Sequence, residues 1–217
     1  MYKQGYTGYR PDILRLMSGS PSRVLDVGCG AGALGASIKQ KWPDAIVVGI
    51  DNDPQLLASA AIQLDKVIQC DLNANAPLAG LAGEEPFDVI LFADVLEHLV
   101  NPEALLSMAR EYLTDMGYVI TSLPNVRHYS TFVSLGLFGS WPRRERGIHD
   151  KTHLRFFARA DMLRLFSDCG YRQVMEKRNV RLIESQSWSN IPGKIFDFWP
   201  LRPFLTFQYM HKLVPAS

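Results

Sequence analysis

The run Val24-Leu25-Asp26-Val27-Gly28-Cys29-Gly30-Ala31-Gly32 leaves few folds open. Its apolar, β-branched start reads as a strand. Glycines at every second position then let the backbone turn with positive φ, or pass close to a ligand. In open α/β sheets such a turn lies at the carboxyl edge of the strands, where ligands bind. A second apolar run, Ile46 to Ile50, ends in Asp51. An acid about 20 residues past the glycines, at the end of the next strand, reaches the ribose hydroxyls of a nucleoside. The two runs together predict a nucleoside pocket.

The glycines alone do not name the nucleoside. Gly28, Gly30 and Ala33 satisfy the loose dinucleotide form G-x-G-x-x-G/A. Asp26 opposes that reading, because it stands at the mouth of the turn, where a pyrophosphate would meet a carboxylate at short range. S-adenosylmethionine (SAM) has no phosphate. Its ammonium and sulfonium are attracted by the same carboxylate. The plain alternative for Asp26 is a helix cap.

Three further segments extend the pattern. Val67 to Cys70 ends in Asp71-Leu72, a third strand ending in an acid. Phe87 to Phe92 is a near-continuous apolar run, as a strand covered on both faces requires. It leads into Ala93-Asp94-Val95-Leu96-Glu97-His98. In order and spacing, D-V-G-C-G-A-G, I-D, C-D-L and F-D-V-I-L-F-A-D-V-L-E-H-L resemble the class I SAM-dependent methyltransferases, over about residues 22 to 124. The resemblance implies that Asp26, Gly28 and Gly30 hold the methionine end, with Cys29 as the small residue between the glycines. Asp51 takes the ribose, with Asn52 counted beside it, and Asp71 and Leu72 take the adenine. Asp94, Val95 and His98 lie beside the methionine and sulfonium. Asp94 and Glu97 also have the D-x-x-E spacing of a capping box, and His98 reads equally as a packed helix residue.

Strands are predicted over about 23–27, 45–50, 67–70, 87–92 and 117–123, and helices over about 10–19, 32–42, 54–64 and 102–113. Asn101 serves the last of these as N-cap, with Pro102 in its first position. A helix over 160–169 and strands over 171–180 and 204–214 complete the chain. Alternating strands and helices mean a parallel sheet. The resemblance implies a Rossmann-like α/β fold: a seven-stranded, mostly parallel sheet, its last strand antiparallel, helices on both faces. The 217 residues suit one domain, 1–217, with 124–157 as a lid after the fifth strand.

That long connection is the main departure from a minimal fold, and connections of this length are usually functional. It holds three of the five histidines. A hydroxyl acceptor must lose a proton during methyl transfer, and His128, His149, Asp150 and His153 are the candidate bases. His149 and His153 have metal-ligand spacing on a helix, but the expectation is no metal. The pieces L-P-N-V-R-H-Y and G-I-H-D-K-T-H-L-R-F-F resemble a bacterial methyltransferase subgroup that often accompanies sugar and surface-polysaccharide biosynthesis genes.

Charge divides the chain. Residues 1–122 hold 8 Lys/Arg against 15 Asp/Glu, and residues 123–217 hold 15 against 7. The acidic half suits a cationic cofactor and the basic half an anionic acceptor. No Asn/Asp-Pro-Pro-aromatic motif follows the fourth strand, which lowers nucleic-acid amino methylation. The reading is therefore methyl transfer to a small anionic acceptor, at an oxygen of a sugar or nucleotide-linked sugar, with no nucleic-acid partner. An NAD-dependent oxidoreductase and a non-catalytic SAM-binding regulator are the alternatives. Three cysteines without metal spacing, no signal peptide and no membrane span make a cytoplasmic enzyme the expectation. The C-terminal aromatics from Trp188 to Tyr209 are read as packing or lid first, homodimer contact second and peripheral membrane contact last.

Overall fold

The structure, a computed structural model, describes residues 10–181, 198 and 200–216. One seven-stranded sheet organises them, in the order β3-β2-β1-β4-β5-β7-β6. The strands are β1 (Arg23–Val27), β2 (Ile46–Asp51), β3 (Lys66–Gln69), β4 (Phe87–Ala93), β5 (Leu113–Pro124), β6 (Tyr171–Val180) and β7 (Thr206–Pro215). All pairings from β3 to β5 are parallel. β7 inserts between β5 and β6, antiparallel to both.

Apolar patterning puts a core on each face. On one face, β1, β2 and β4 pack against α1 (Pro11–Leu14), α2 (Ala33–Lys41) and α3 (Pro54–Ala60), through Ile13, Leu34, Ile38, Leu57 and Ala60. On the other lie α4 (Pro102–Met108) and α6 (Arg159–Asp168), through Leu105, Leu106, Met162, Leu165 and Phe166. β4 alternates toward both cores and is buried almost throughout, which is why its sequence lacks polar spacing. The helix crossovers change sides between β1 and β4, so these two strands flank the topological switch point, where α/β sheets bind ligands.

Caps act where local chemistry predicts them. Asn101 accepts from the Ala104 N–H at 3.0 Å ahead of Pro102, and Asp53 caps α3 ahead of Pro54. The lead-in helix is one turn, Pro11–Leu14, rather than ten residues, because Ser18-Gly19-Ser20-Pro21 follows. The helix predicted to 113 tightens into a 3-10 turn after Met108 and gives way to β5 at Leu113. Residues 202–205 form a helical turn, so the last strand begins at Thr206. The connection after β5 contains one short turn, α5 (Tyr129–Thr131), continued by a π-helical segment, Phe132–Leu137.

Of the described C-terminal aromatics, Phe207 and Tyr209 are buried in the sheet, Phe204 is half-buried and Phe198 is exposed, so packing accounts for part of the group. Trp188, Phe196 and Trp199 lie outside the described residues. Among those residues no helix is long and apolar enough to cross a membrane.

Candidate active site

The glycine turn is built by backbone geometry. Gly28, Gly30 and Gly32 all have positive φ. The N–H groups of Gly28 and Cys29 both donate to the Ile50 carbonyl, at 2.8 and 3.0 Å, locking the end of β1 to β2. A Cβ on residue 28 would meet Val95 at 2.7 Å, so only glycine admits the close approach of the turn after β4. At Gly30 a Cβ would meet nothing within 4 Å: the turn faces open space there. Cys29 is buried, with its side chain packed beside Gly49 in the core. What it brings to the turn is its backbone.

The acids converge on this turn. Asp51 accepts from the Gly30 N–H at 2.9 Å and from the Asp53 N–H at 3.0 Å. Asn52 is exposed beside it, its carbonyl taking the Gln69 amide. Asp71 is exposed and turns its carboxylate to the Asn73 N–H, and Leu72 packs half-buried on the core. Asp26 is only 2% exposed, and its Oδ2 has no hydrogen-bond partner among the described residues. Burial, then the charge of Asp51, push the Asp26 carboxyl up to about 7, against the Gly35 N–H and Arg10, which pull it down. A buried carboxylate oxygen without a partner, beside a second acid, is a place that a cation would stabilise.

Asp94 is the one non-glycine residue with positive φ among those described, at 61°. Strain of this kind persists where surroundings over-determine it, and here they do. Arg10 donates to Asp94 Oδ2 at 2.6 Å, Ser122 to Oδ1 at 3.1 Å, and the Gln208 amide to the same Oδ1. Arg10 also bonds Asp12 at 2.8 Å and Ser122 at 2.9 Å. Burial opposes its charge, but Asp94 and Asp12 outweigh burial and its pKa is raised. Sequence reasoning missed Arg10, Ser122 and Gln208. They come from three separate elements and have no local motif.

The D-x-x-E spacing does not make a capping box: the turn Leu96–His98 starts at Val95 without a side-chain cap. Glu97 is instead buried, its Oε2 without a partner among the described residues. Burial, then Asp94, raise its pKa well above the ordinary carboxylate range. Its carbonyl accepts from the N–H groups of Leu154 and Arg155, at 2.8 and 3.0 Å, which stitches the end of the long connection to the turn after β4.

The four predicted bases separate. His128 is buried and pins the connection, with Nε2 donating to the Arg181 carbonyl at 2.8 Å and Nδ1 at 2.9 Å from the Ser130 hydroxyl. His149 is buried against Thr131, 3.1 Å away. Asp150 caps its own turn, accepting from the Thr152 N–H and hydroxyl at 2.8 and 2.6 Å. His153 is the histidine of the connection that lies against Glu97, and the charge of Asp150 also acts on Glu97, His98 and His153. The His153 Nδ1 donates to the Ile148 carbonyl at 3.1 Å, and its Nε2 lies 3.9 Å from Glu97 Oε1. His98 packs against it, ring centroids 4.7 Å apart, and bonds Thr152 through Nδ1. The His149–His153 spacing therefore brings no pair together, because the segment is turn rather than helix. Glu97, His98 and His153 do converge, with ligand atoms within 4.8 Å of one another, near enough to hold a cation. Burial lowers the pKa of both histidines.

Known proteins match this chain in sequence and fold. Residues 2–176 fit the family described as a methyltransferase domain. The chain belongs to the class I SAM-dependent methyltransferases. The ubiquinone biosynthesis O-methyltransferase of Cereibacter sphaeroides is 31% identical over 170 residues, 77% of this chain and 67% of that protein. The trans-aconitate 2-methyltransferase of Azoarcus is 32% identical over 114 residues, 52% of this chain and 43% of that one. The fold matches the SAM-dependent methyltransferase of Mesorhizobium loti with a TM-score of 0.63 at 16% identity, over 94% of this chain and 95% of that one. Membership removes the dinucleotide oxidoreductase alternative. The methyl donor is SAM, and the partnerless, buried Asp26 oxygen fits a cationic ligand.

Proposed function

We propose that this methyltransferase carries a methyl group from SAM to an oxygen of a small anionic acceptor. The observation that carries the reading is the wall of acids at the switch point, Asp26, Asp51 and Asp94, in which Asp26 has an oxygen to spare. SAM supplies a methyl group on a sulfonium, an activated leaving group. The chain's own residues bind, orient and handle one proton.

In this reading Asp26 and the turn Gly28-Cys29-Gly30 hold the methionine ammonium. Arg10, already among the acids, is suited to the methionine carboxylate by exchanging one of its carboxylate partners. Asp51, with Asn52 beside it, takes the ribose hydroxyls, and Asp71 and Leu72 take the adenine. Asp94 and Val95 line the methionine end. Val95 packs on Gly28, so the approach of the two turns sets the width of the pocket.

His153, with His98 beside it, is the best-placed base. Lowered pKa values leave both rings neutral near pH 7, the form that accepts a proton. The buried Glu97 lies 3.9 Å from the His153 Nε2, the nitrogen left to take the proton while Nδ1 holds the Ile148 carbonyl. His128, His149 and Asp150 act differently, holding residues 124–157 over the site as a lid.

An oxygen acceptor is supported by the first relative, named an O-methyltransferase. Negative charge on the acceptor is supported by the basic second half and by the second relative, whose name specifies a carboxylic acid. Neither name specifies a sugar, so a sugar or nucleotide-linked sugar rests on the subgroup resemblance alone. Three free thiols agree with a cytoplasmic enzyme. The test is transfer of labelled methyl from SAM to a panel of hydroxyl, carboxylate and nucleotide-sugar acceptors. Turnover lost in Asp26→Asn and His153→Ala supports the reading. SAM binding without turnover on any acceptor favours the non-catalytic regulator.

A further inference from the structure

The connection after β5 shows an unusual surface. Phe132, Leu135, Leu137, Phe138, Trp141 and Phe156 are large, apolar and exposed, with Leu137 at 68% and Phe138 at 77%. Single exposed apolar residues are ordinary, but a group within one segment marks an interaction site. The segment is wound as a π-helix over Phe132–Leu137, a rare geometry that is frequent at functional sites. Trp141 folds back edge-to-face on Phe156, ring centroids 4.8 Å apart, so the start and end of the connection share this face.

Charge identifies the occupant. From Met116 to Arg144 the sequence has no Asp or Glu. Arg143 and Arg146 follow the apolar residues directly, and both are exposed. Glu145 between them is paired with Lys151 at 2.8 Å, which offsets its charge. Apolar side chains ready to insert, with cations beside them and their one exposed acid paired with Lys151, match the interface of an anionic bilayer: rings and leucines enter the acyl boundary while guanidinium groups stay at the headgroups. A small acceptor needs no such outward display. The far end of the connection is stitched to the turn after β4 through Glu97, so this face adjoins the candidate active site.

We propose that residues 132–156 dock the enzyme on an anionic membrane surface, with the active site beside the bilayer. The test is flotation of the full chain with vesicles of phosphatidylcholine alone or mixed with phosphatidylglycerol. Wild type should float with the mixed vesicles, stay behind with phosphatidylcholine alone, and release at high salt. Leu137→Asp with Phe138→Asp, and separately Arg143→Glu with Arg146→Glu, should each lower partitioning at least about tenfold. Both variants should keep wild-type circular dichroism and SAM affinity. Failure of wild type to float with anionic vesicles overturns the proposal, as does binding that ignores vesicle charge or both variants. A dimer in sedimentation that Phe138→Asp dissociates, with no vesicle binding, overturns it in favour of a second copy. Neither donor nor acceptor enters this test, so its failure leaves the methyl-transfer reading untouched.

Discussion

The glycine turn at the end of β1 and the connection after β5 meet at one edge of the sheet, yet they are organised by opposite means. In the turn, backbone does the positioning: three positive-φ glycines, two N–H groups on the Ile50 carbonyl, and a contact with Val95 that no Cβ permits. In the connection, side chains do it: His128, His149 and Asp150 each close a separate bond, and regular structure is short. The turn gathers acids and leaves one buried oxygen without a partner. The connection gathers cations and leaves its apolar groups outside. A constant donor suits the rigid backbone cradle, and a variable acceptor suits a lid that side-chain substitutions can reshape.

The largest effect should come from the acidic side. Asp26→Asn removes the charge proposed to meet the donor and should weaken SAM binding by roughly a hundredfold or more, read by calorimetry. The same change should stabilise the free protein at alkaline pH. The folded pKa of Asp26 is raised to about 7, so its stability contribution is complete below the unfolded value near 4 and is lost as pH rises through 7. Above that, Asn should gain roughly 1–4 kcal/mol in a thermal or denaturant melt, at about 1.4 kcal/mol for each tenfold difference in proton affinity between the folded and unfolded chain.

Next come the histidines, which separate chemistry from lid. His153→Ala should lower kcat about 10²- to 10³-fold with little change in SAM affinity. His128→Ala should cost about 1–3 kcal/mol of stability through the unpaired Arg181 carbonyl, and lower kcat less. Equal losses of kcat in the two would erase the distinction between base and pin.

The smallest effects should come from the two glycines. Gly28→Ala meets Val95 at 2.7 Å with φ at 68°, and should cost about 1–3 kcal/mol of stability. Gly30→Ala has room and suffers only backbone strain, about 1 kcal/mol. Its loss should appear in SAM affinity instead. A melt of each variant, with and without SAM, checks the contrast.

Legibility in the sequence follows the same division. Asp26, the glycines and Asp51 announce themselves because backbone turns are local, and a strand ending in an acid is a short pattern. Asn101-Pro102 and the buried β4 are legible for the same reason. Arg10 carries no such mark. Its bond to Asp94 spans 84 residues and exists only because α1 packs on the sheet where β4 and β5 are neighbours. Gln208 reaches Asp94 only through the antiparallel insertion of β7. Glu97 read as half of a capping box, and became a buried acid facing His153. His149 and His153 read as a pair by spacing, which counts only on a helix, and their segment is turn. Four candidate bases could be named from residue type. Ranking them needed the packing of the connection against the end of β4.

The central claim is electrostatic: the switch-point edge holds a buried acid in need of a cation, and the methyl donor provides it. Calorimetric titration of SAM into wild type and Asp26→Asn, one pH unit below and one above 7, tests this most directly. Wild-type affinity should rise severalfold across that interval as Asp26 ionises, while Asp26→Asn stays weak and flat. Wild-type affinity that does not change with pH, or Asp26→Asn that binds SAM as tightly as wild type, would contradict the account.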